Sequence, residues 1–511
     1  MTINILGLVG TGAMGRGIAQ IAAQANVEVL LYDTKEGAAA DAKNAIVATL
    51  AKLAEKGKLT TDQVAAAEAK LKVVAGLADM ATADAVVEAI VENLDIKKKL
   101  FAELEGIVGE NCILATNTSS LSVTSIAAGC RLPNRVAGFH FFNPVPLMKI
   151  VEVIDGLLTD SSVSDALLDL GRRMGHTAVR AKDTPGFIVN HAGRAFITEG
   201  LRLLGENVAE IHDIDRIMRD VAGFRMGPLE LLDLTGLDVS QPVMESIYHQ
   251  YYQEPRFRPS NLAQQRLVGG LLGRKTNRGF YSYENGKISG PAVALNEAPA
   301  PTLDLATMPP LWISQAHPEF ANLVVALVRN LGATIETGLR PSDKALCIVT
   351  PRGQDATTCA NREGLDATRT IAVDVVFGLE TGKRRTLMTT PITSVTTRTA
   401  AHALFAADGS PVTVIHDSAG FVAQRIIAHV VNVGCDIAQQ GIAAPEDIDR
   451  AVTLGLGYSK GPLSFGDAIG AKRILDILDC LFNVYRDPRY RPSPWLRRRA
   501  LLGVSLLTPE A

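Results

Sequence analysis

His140 and Glu152 lie twelve positions apart (152 − 140) in the stretch FHFFNPVPLMKIVEVI, which ends at residue 154. Histidine titrates near neutral pH and can take a proton from a hydroxyl group. A carboxylate that is hydrogen-bonded to the ring fixes its tautomer and stabilises its charged form. The two side chains therefore have the types needed for a general base and its orienting partner. A purely structural ion pair is the alternative.

The residues around this pair predict how the two side chains meet. Residues 135–142 and 149–154 have the composition of strands, and Pro144-Val145-Pro146 between them is typical of a turn. A hairpin-like arrangement of this kind brings Glu152 back alongside His140.

A turn near the start of the chain predicts a nucleotide site. The apolar run 3–9 is typical of a strand buried in a parallel sheet, and the run 13–25 is typical of a helix. Between them stands Gly10-x-Gly12-x-Met14-Gly15. The first glycine permits the tight turn, the second lets the backbone approach a pyrophosphate, and the third lets the helix pack on the strand. A glycine-rich turn without a ligand matches the same pattern.

Asp33 supplies the context for this turn. It ends the strand predicted at 27–32 and comes 18 residues after Gly15 (33 − 15). A carboxylate at this place binds the adenosine ribose hydroxyls and repels a 2′-phosphate, which favours NAD over NADP. Lys35 is close enough to keep NADP open.

Two polar clusters follow the next predicted strands. Glu92-Asn93 comes after the strand 85–89, and Asn117-Thr118-Ser119-Ser120 comes after the one that follows it. Ligands of open α/β sheets bind at the carboxyl ends of the strands, so we expect both clusters at the cofactor. Turn formation and helix capping by Asn117 and Ser119 is the alternative.

Residues 36–72 predict two long helices joined near 57–61, an arm that a minimal nucleotide fold does not need. Its lysines Lys52, Lys56 and Lys58 form either a solvated face or a contact with a phosphorylated substrate.

The composition excludes several kinds of partner. A chain of 511 residues predicts about three or four domains. A net charge of −3, from 51 basic and 54 acidic residues, gives no electrostatic case for nucleic acid or an anionic membrane. The six cysteines contain no C-x-x-C pair, so neither a zinc site nor a disulfide framework is indicated. The apolar start lacks the basic region of a signal peptide, so we expect a cytoplasmic protein.

Together, the nucleotide site and the acid–base pair favour oxidation of a secondary alcohol. In that reaction His140 takes the hydroxyl proton while a hydride passes to nicotinamide.

Longer strings in the first half match a family. NTSSLSVTSIA, AGFHFFNPVPLMKIVEVI, DTPGFIVN, GFRMGPLELLDLTGLD and GRKTNRGFY make residues 3–284 resemble a 3-hydroxyacyl-CoA dehydrogenase. The resemblance implies an α/β Rossmann-type N-terminal domain followed by an all-α C-terminal domain. It also implies NAD-dependent, reversible oxidation of a (3S)-3-hydroxyacyl-CoA to the 3-oxoacyl-CoA, a step of fatty-acid β-oxidation.

The resemblance further implies roles for individual residues. His140 is the catalytic base and Glu152 its partner, Ser119 and Asn190 donate hydrogen bonds near the substrate's oxygens, and Lys56 lies near the CoA phosphates. The implied NAD-binding residues are Gly10, Gly12, Met14, Gly15, Asp33, Glu92, Lys97, Ser119, Asn143 and Lys275. One departure is His191, where many relatives carry arginine, and it does not touch the implied chemistry.

Two other functions stay open at this point. A dehydrogenase of the same fold could act on a hydroxy acid without CoA, although the lysines of the arm and the HFFNPVP string argue against it. The chain could also be a non-catalytic NAD-binding or structural protein, because a fold can persist after its chemistry is lost. The joint presence of Ser119, His140, Glu152 and Asn190 argues against this second alternative.

The second half of the chain repeats the first. Asp183-Thr-Pro-Gly-Phe187 recurs as Asp417-Ser-Ala-Gly-Phe421, and the offset of 234 (417 − 183) continues without a gap. Carried backwards, the offset aligns Ile113-Leu114 with Cys347-Ile348. We therefore expect a degenerate second copy, made of a partial nucleotide-like domain and a second all-α domain.

The repeat lacks the residues that carry the chemistry. No glycine turn stands near position 244 (10 + 234). The four chemical positions hold other residues, with Gly353 for Ser119, Asp374 for His140, Thr386 for Glu152 and Gln424 for Asn190. We predict that this copy is inactive. We also predict that its helices pack on those of the first copy as an intramolecular pseudo-dimer, and further oligomerisation stays open.

The predicted domains follow from these observations. They are an NAD-binding Rossmann domain with the arm (1–183), a helical substrate and dimerisation domain (184–288), a linker (289–315), a degenerate nucleotide-like segment (316–416) and a second helical domain (417–511). The tandem arrangement and the ending Arg489-Tyr490-Arg491-Pro492 resemble the dehydrogenases of bacterial phenylacetate breakdown, which oxidise 3-hydroxyadipyl-CoA. As substrates, 3-hydroxybutyryl-CoA and 3-hydroxyadipyl-CoA both stay open.

Overall fold

The chain folds into two compact units. A computed structural model describes residues 1–289, 299–302 and 304–510. The first unit comprises Met1–His191 with Gln440–Gly457, and the second comprises Ala192–Gln439 with Tyr458–Ala511. Residues 290–298 and 303 of the linker predicted at 289–315 lie outside the described residues, and the predicted domain boundaries stay predictions.

The first unit contains an eight-stranded sheet of order β3-β2-β1-β4-β5-β6-β7-β8. All neighbouring strands are parallel except β6 and β7. The order reverses between β1 and β4, which in an open α/β sheet marks the crevice for a nucleotide. The strands are β1 Ile5–Val9, β2 Glu28–Tyr32, β3 Leu71–Val73, β4 Ala85–Glu88, β5 Ile113–Thr116, β6 Val136–Phe141, β7 Ile150–Asp155 and β8 Thr177–Lys182.

Helices cover both faces of this sheet. Successive residues of β1 point to opposite sides, so Leu8 joins one apolar cluster and Val9 another. The helices are Ala13–Gln24, Ala38–Glu55, Thr61–Lys70, Leu94–Glu105, Val123–Ala127, Ser161–Arg173 and, from the second half of the chain, Pro445–Leu456. This is the α/β Rossmann-type fold that the sequence predicts.

The arm is built from two of these helices, Ala38–Glu55 and Thr61–Lys70, as its composition predicts. A reciprocal capping box starts the second helix. The Thr60 hydroxyl accepts from Gln63 N at 3.2 Å, and the Gln63 side chain accepts from Thr60 N at 2.8 Å.

The second unit combines helices with a six-stranded sheet of order β12-β11-β13-β14-β15-β16. Only β14 and β15 are antiparallel neighbours. These strands are β11 Leu311–Ile313, β12 Ile335–Glu336, β13 Leu346–Val349, β14 Thr370–Val373, β15 Arg385–Thr389 and β16 Val412–Ile415, and a separate hairpin pairs β9 Ser282–Glu284 with β10 Lys287–Ser289. The helices are Val189–Gly205 (after its first three residues), Ile211–Asp220, Pro228–Thr235, Leu237–Gln250, Asn261–Val268, Pro318–Asn330, Ala356–Glu363, Val395–Phe405, Ala423–Gln439, Pro462–Ile469, Ala471–Tyr485 and Pro494–Leu502.

The structure repeats itself at the offset found in the sequence. Ala137 pairs with Asp155 across β6 and β7, and Ile371 pairs with Thr389 across β14 and β15, each 234 positions later. The helices repeat as well. A Cβ added to Gly200 would lie 2.5 Å from Pro228, and one added to Gly434 would lie 2.6 Å from Pro462. The second half is therefore a degenerate copy of the first, as predicted.

Within the second unit, helices of the two copies touch. The rings of Phe224 and Tyr458, which occupy equivalent positions (458 − 224 = 234), lie 4.8 Å apart. Arg489 Nη1 lies 3.0 Å from Glu199 Oε2 at a buried contact, and Arg256 pairs with Asp436.

Other features concern the described residues as a whole. No helix there is long and apolar enough to cross a membrane. The six cysteines are all free thiols.

Candidate active site

His140 and Glu152 stand directly opposite each other on the antiparallel strands β6 and β7. His140 Nδ1 lies 2.7 Å from Glu152 Oε2, and the two residues are 4% and 0% exposed. Because a carboxylate only accepts hydrogen bonds, this contact places the ring proton on Nδ1 and leaves Nε2 as the basic nitrogen. Nε2 has no hydrogen-bond partner in the described part of the chain, so it is available to accept a proton.

The other oxygen of Glu152 is held by the start of a helix. Oε1 accepts from Ile188 N at 2.9 Å and from Val189 N at 3.0 Å, where the helix Val189–Gly205 begins. Amide groups at a helix N-terminus are free to bind an anion, and the helix dipole favours negative charge there. These bonds fix the direction in which the fully buried carboxylate faces His140.

Aromatic rings surround the imidazole. The ring of Phe142 lies 4.4 Å from that of His140, and the ring of Phe187 lies 5.7 Å away. Such rings limit access of water to the base, which strengthens its contact with the carboxylate.

Ser119 lies on a loop that Glu92 holds in place. Glu92 Oε1 accepts from Thr118 Oγ1 at 2.7 Å, from Ser119 N at 2.9 Å and from the Ser120 hydroxyl at 3.0 Å. Burial raises the pKa of Glu92, but the Thr118 hydroxyl and the nearby Lys97 charge bring it below its usual value. The hydroxyl of Ser119 forms no hydrogen bond within the described residues, which leaves it free to donate to a ligand.

Asn117 ties the same loop to the strand of the base. Its Oδ1 accepts from Phe141 N at 2.9 Å, so Asn117 has a structural bond next to His140. The cap of the helix Val123–Ala127 is Ser122, which accepts from Ser125 N at 3.1 Å, so Ser119 does not serve as its cap.

The glycine turn is formed at the end of β1. Gly10 has a φ of +94°, and a Cβ there would lie 2.6 Å from Ala89 O. A Cβ on Gly15 would lie 1.9 Å from Gly10 O, so the helix Ala13–Gln24 packs against the turn at a distance that only glycine permits. A Cβ on Gly12 would meet nothing within 4 Å, and no side chain caps the helix that follows. Open space beside free helix amides suits a pyrophosphate.

Asp33 is bound to this turn. Its Oδ2 accepts from Thr11 N at 2.7 Å and from Thr11 Oγ1 at 2.9 Å, and its Oδ1 accepts from Lys35 N at 3.0 Å. Burial raises the pKa of Asp33, but the Lys35 and Thr11 amides outweigh it and hold the pKa below the usual value. The carboxylate is thus charged and fixed beside the turn, where it suits ribose hydroxyls.

Lys97 has two carboxylate partners. Its Nζ lies 2.7 Å from Glu88 Oε1 and 3.3 Å from Glu92 Oε2, and Glu88 also accepts from the Thr116 hydroxyl. Lys97 and Glu88 are 1% and 0% exposed. The charge of Lys97 is therefore shared between Glu88 and Glu92. Its predicted contact with the cofactor stays a prediction.

The remaining predicted residues belong to different elements of the fold. Asn190 is half-buried and follows Val189 in the helix whose amides hold Glu152. Asn143 is exposed just after β6, and Lys56 is exposed at the end of the helix Ala38–Glu55. Met14 packs, partly buried, against the apolar core, and Lys275 belongs to the second unit, where it pairs with Asp238 at 2.6 Å.

Sequence reasoning missed the groups that hold the acid–base pair. The amides of Ile188 and Val189 carry no side-chain signal, and they lie 36 and 37 positions from Glu152. Glu88 stands out in the sequence as a charge at the end of an apolar strand, but the sequence does not show that Lys97 pairs with it.

Two family profiles match the chain. The sequence profile of the 3-hydroxyacyl-CoA dehydrogenase NAD-binding domain matches residues 5–184. The profile of the C-terminal domain matches twice, at residues 186–283 and 420–505. The chain belongs to the 3-hydroxyacyl-CoA dehydrogenase family.

Relatives of this family match over the whole chain or its first half. The chain is 37% identical to the 3-hydroxyadipyl-CoA dehydrogenase of Escherichia coli (strain K12), over 98% of its own length and 99% of that protein. It is 40% identical to a probable 3-hydroxybutyryl-CoA dehydrogenase of Bacillus subtilis (strain 168), over 56% of this chain and 99% of the relative. The crystal structure of a 3-hydroxybutyryl-CoA dehydrogenase from E. coli K12 superposes with a TM-score of 0.84 and 34% identity, and covers 98% of this chain and 99% of that one.

Membership of the 3-hydroxyacyl-CoA dehydrogenase family confirms several predictions. The chain is an enzyme that uses NAD to oxidise a 3-hydroxyacyl-CoA to the 3-oxoacyl-CoA, and its substrate is an acyl-CoA. The twofold match of the C-terminal profile agrees with the internal duplication.

The second copy of this family's fold has a different set of contacts at the equivalent place. Asp374 N donates to Thr386 O at 3.0 Å, as strand neighbours do. The Asp374 carboxylate accepts from Gln424 Nε2 at 2.9 Å, and Gln424 Oε1 accepts from Gly353 N at 2.9 Å. An amide therefore binds the carboxylate, and no imidazole is present.

Proposed function

We propose that His140 is the catalytic base of the reaction. NAD, when bound, accepts the hydride from C3 of the substrate. His140 Nε2 takes the proton of the 3-hydroxyl group, and the ring becomes an imidazolium ion. The observation that carries this proposal is the 2.7 Å contact between His140 Nδ1 and Glu152 Oε2, because the buried carboxylate stabilises the charge that forms.

Ser119 and Asn190 are proposed to hold the oxygens of the substrate. The free hydroxyl of Ser119 supports this role, since its loop is fixed by Glu92 while the hydroxyl itself stays unused by the described residues. Asn190 follows directly after the amide of Val189 that holds Glu152, which supports a place near the reacting group. In the reverse direction His140 returns the proton to the oxygen of the 3-oxo group, while Ser119 and Asn190 hold that oxygen.

The cofactor is proposed to bind at the turn made by Gly10, Gly12, Met14 and Gly15. The open space at Gly12 and the uncapped helix behind it support binding of the pyrophosphate. The fixed charge of Asp33 supports binding of the ribose and discrimination against NADP. Glu92, Lys97, Asn143 and Lys275 complete the proposed contacts, and Lys56 is proposed to meet the CoA phosphates.

For the acyl group we propose 3-hydroxyadipyl-CoA or 3-hydroxybutyryl-CoA. The full-length relative from E. coli is named for the first substrate, and the superposed crystal structure for the second. We also propose a role in phenylacetate breakdown or β-oxidation, in the cytoplasm. The test records NADH absorbance with 3-hydroxybutyryl-, 3-hydroxyadipyl- and longer 3-hydroxyacyl-CoA, and repeats the best substrate with NADP. Equal rates with all chain lengths, or a preference for a long chain, would contradict this proposal.

The helices of the first copy (184–288) and those of the second copy (417–511) are proposed to form an intramolecular pseudo-dimer. Contact between the equivalent residues Phe224 and Tyr458 supports it, because equivalent residues meet only near an axis that relates the copies. The ion pair of Arg489 with Glu199, from second copy to first, supports it as well. In the contact between Arg256 and Asp436 the arginine belongs to the first copy and the carboxylate to the second.

Deletion of residues 291–511 tests the pseudo-dimer. We expect the truncated chain to aggregate or to form homodimers, because the apolar rings around Phe224 become exposed. Light scattering after gel filtration measures the mass. A truncated chain that stays monomeric and fully active contradicts the proposal.

A further inference from the structure

A segment of the inert copy belongs to the unit that holds the acid–base pair. Residues Gln440–Gly457 fold with Met1–His191, and the helix Pro445–Leu456 packs on β7 and β8. Lys182 N, at the end of β8, donates to Ile442 O at 2.9 Å and anchors the segment to the sheet. Glu152 lies on β7, so this helix packs on the strand that carries the partner of the base.

Near its C-terminal end this helix packs against Val189 through Gly455. A Cβ added to Gly455 would lie 2.9 Å from both Cγ1 and Cγ2 of Val189 and 3.5 Å from its Cβ. Distances below 3 Å force a shift, and a valine side chain is branched at Cβ and cannot rotate away at low cost. A larger residue at position 455 therefore pushes on the backbone of Val189.

The backbone of Val189 is part of the support of the catalytic pair. Its N–H donates to Glu152 Oε1 at 3.0 Å, and Glu152 Oε2 binds His140 at 2.7 Å. Movement of Val189 is thus passed to the carboxylate and from there to the imidazole. Glu152 is 0% exposed, so water cannot replace a bond that is lost.

The equivalent positions of the duplication carry the opposite sizes. Val189 corresponds to Ala423 (423 − 189 = 234), and Gly455 corresponds to Val221 (455 − 221 = 234). In one pair the larger residue is Val189 and the smaller one is Gly455. In the other pair the sizes are exchanged, because Ala423 takes the place of Val189 and Val221 that of Gly455. Between the two pairs of positions the sum of the side chains changes only from Val and Gly to Ala and Val, so an exchange of sizes keeps the total volume nearly constant.

We propose that Gly455 is a positioning residue for the reaction. It lets the helix of the inert copy pack directly behind Val189, so that Val189 N–H holds Glu152 in line with His140. The second copy thereby contributes to the active site of the first. This inference rests on the proposed function of His140 and Glu152.

The test uses the full-length enzyme and three variants, Gly455→Val, Val189→Ala and the double variant that combines them. Active sites are counted by NAD binding, and kcat and the KM values for NAD and the acyl-CoA are measured well below the Tm of each variant. A misplacement of about 1 Å at reacting groups costs roughly 10²-fold, so we expect Gly455→Val to lower kcat at least about tenfold. The KM for NAD should stay unchanged, since the glycine turn is not touched. The double variant has the same residue types as the equivalent positions of the duplication, Val221 and Ala423. Because the smaller residue at position 189 makes room for the larger one at 455, its kcat should return to within about threefold of the wild type.

Two results would overturn the proposal. One is a Gly455→Val enzyme with a lowered Tm but an unchanged kcat per NAD site, because the glycine would then serve only folding. The other is a double variant whose kcat stays as low as that of the single variant. If Gly455→Val does not fold, Gly455→Ala decides by the same measurement, with an expected loss of about threefold or more. Failure of the proposed function appears elsewhere, as a His140→Ala enzyme that keeps its kcat.

Discussion

The two copies of this chain keep the same strands and differ in what stands on them. His140 and Glu152 face each other across β6 and β7, and Asp374 and Thr386 occupy the equivalent places at β14 and β15. In the first copy the carboxylate accepts from two amides and from the ring, so each of its oxygens has a partner. In the second, Asp374 Oδ2 and Thr386 Oγ1 are buried without a partner. The two copies thus share the arrangement of their backbone and differ in the side chains that stand on it.

The two copies also differ in the space around Ser119 and around Gly353, the residue equivalent to it in the second copy. Gly353 stands there with a φ of +83°, and a Cβ on it would lie 2.7 Å from Ile477 Cα and 3.0 Å from Cys480 Cβ. The helix Ala471–Tyr485 therefore packs against Gly353 too closely to admit a side chain at that position. In the first copy, the Ser119 hydroxyl makes no bond within the described residues. The two copies therefore differ in packing at this position as well as in residue type.

The largest expected effect contrasts His140 with Asp374. His140→Ala should lower kcat by about 10² to 10⁴, because it removes a general base. Asp374→Ala should leave kcat within about twofold, since no reacting group lies in that copy. Steady-state rates of NADH formation measure both. A comparable loss in the two variants would break the comparison between the copies.

The second prediction concerns stability rather than rate. Burial raises the pKa of Asp374 to about 6, in spite of the hydrogen bond from Gln424. In the unfolded chain the value is 3.8, so the folded state binds more protons between these two values, and its stability falls as the pH rises through them. The gap corresponds to about 3 kcal/mol, which the native state loses above pH 6.

Asp374→Asn removes this charge and keeps an oxygen for Gln424 to bind. The variant should gain up to about 3 kcal/mol at pH 7 and lose the dependence on pH between about 4 and 6. Urea unfolding at pH 5 and pH 7 measures the effect, and His140→Asn serves as the matched change in the first copy. Equal stability of wild type and Asp374→Asn at pH 7 would contradict a buried charge at this site.

The third prediction tests the partner of the base. Glu152→Gln keeps an oxygen for the amides of Ile188 and Val189 but places an NH₂ group against His140 Nδ1. The ring then has to move its proton to Nε2 or lose its partner, so kcat should fall about 10- to 100-fold. The control is Thr386→Val in the second copy, which should not alter the rate. The idea fails if Glu152→Gln changes KM alone.

The smallest expected effect concerns the cofactor. Asp33→Ala removes a charged acceptor beside the glycine turn, and the Kd for NAD should rise about tenfold while NADP is discriminated less. Calorimetric titration of the wild type should give one NAD site per chain, because the second copy has no counterpart of the turn. Two sites per chain would mean that the second copy also binds the nucleotide.

Local features of the fold could be predicted from the sequence. The strand, turn and helix around Gly10 to Gly15 follow from residues that are neighbours in the chain, as do the two helices of the arm. The pair of His140 and Glu152 was within reach because a short connection joins their strands. The duplication was also visible, since it needs only a comparison of the chain with itself.

Contacts between distant segments could not be predicted in this way. No pattern within residues 440–457 shows that they fold with the first unit, or that Gly455 packs against Val189. The helix amides that hold Glu152 and the pairing of Lys97 with Glu88 were hidden for the same reason.

The sequence by itself determined the family, the cofactor, the reaction and the presence of an altered second copy. These depend on residue types at fixed spacings, which a chain shows without folding. Only the tertiary structure decided what holds the carboxylate of Glu152 in place, because that requires backbone amides and packed side chains from segments that are far apart in the chain. The free energy of a buried charge depends on its surroundings, and those exist only after the chain has folded.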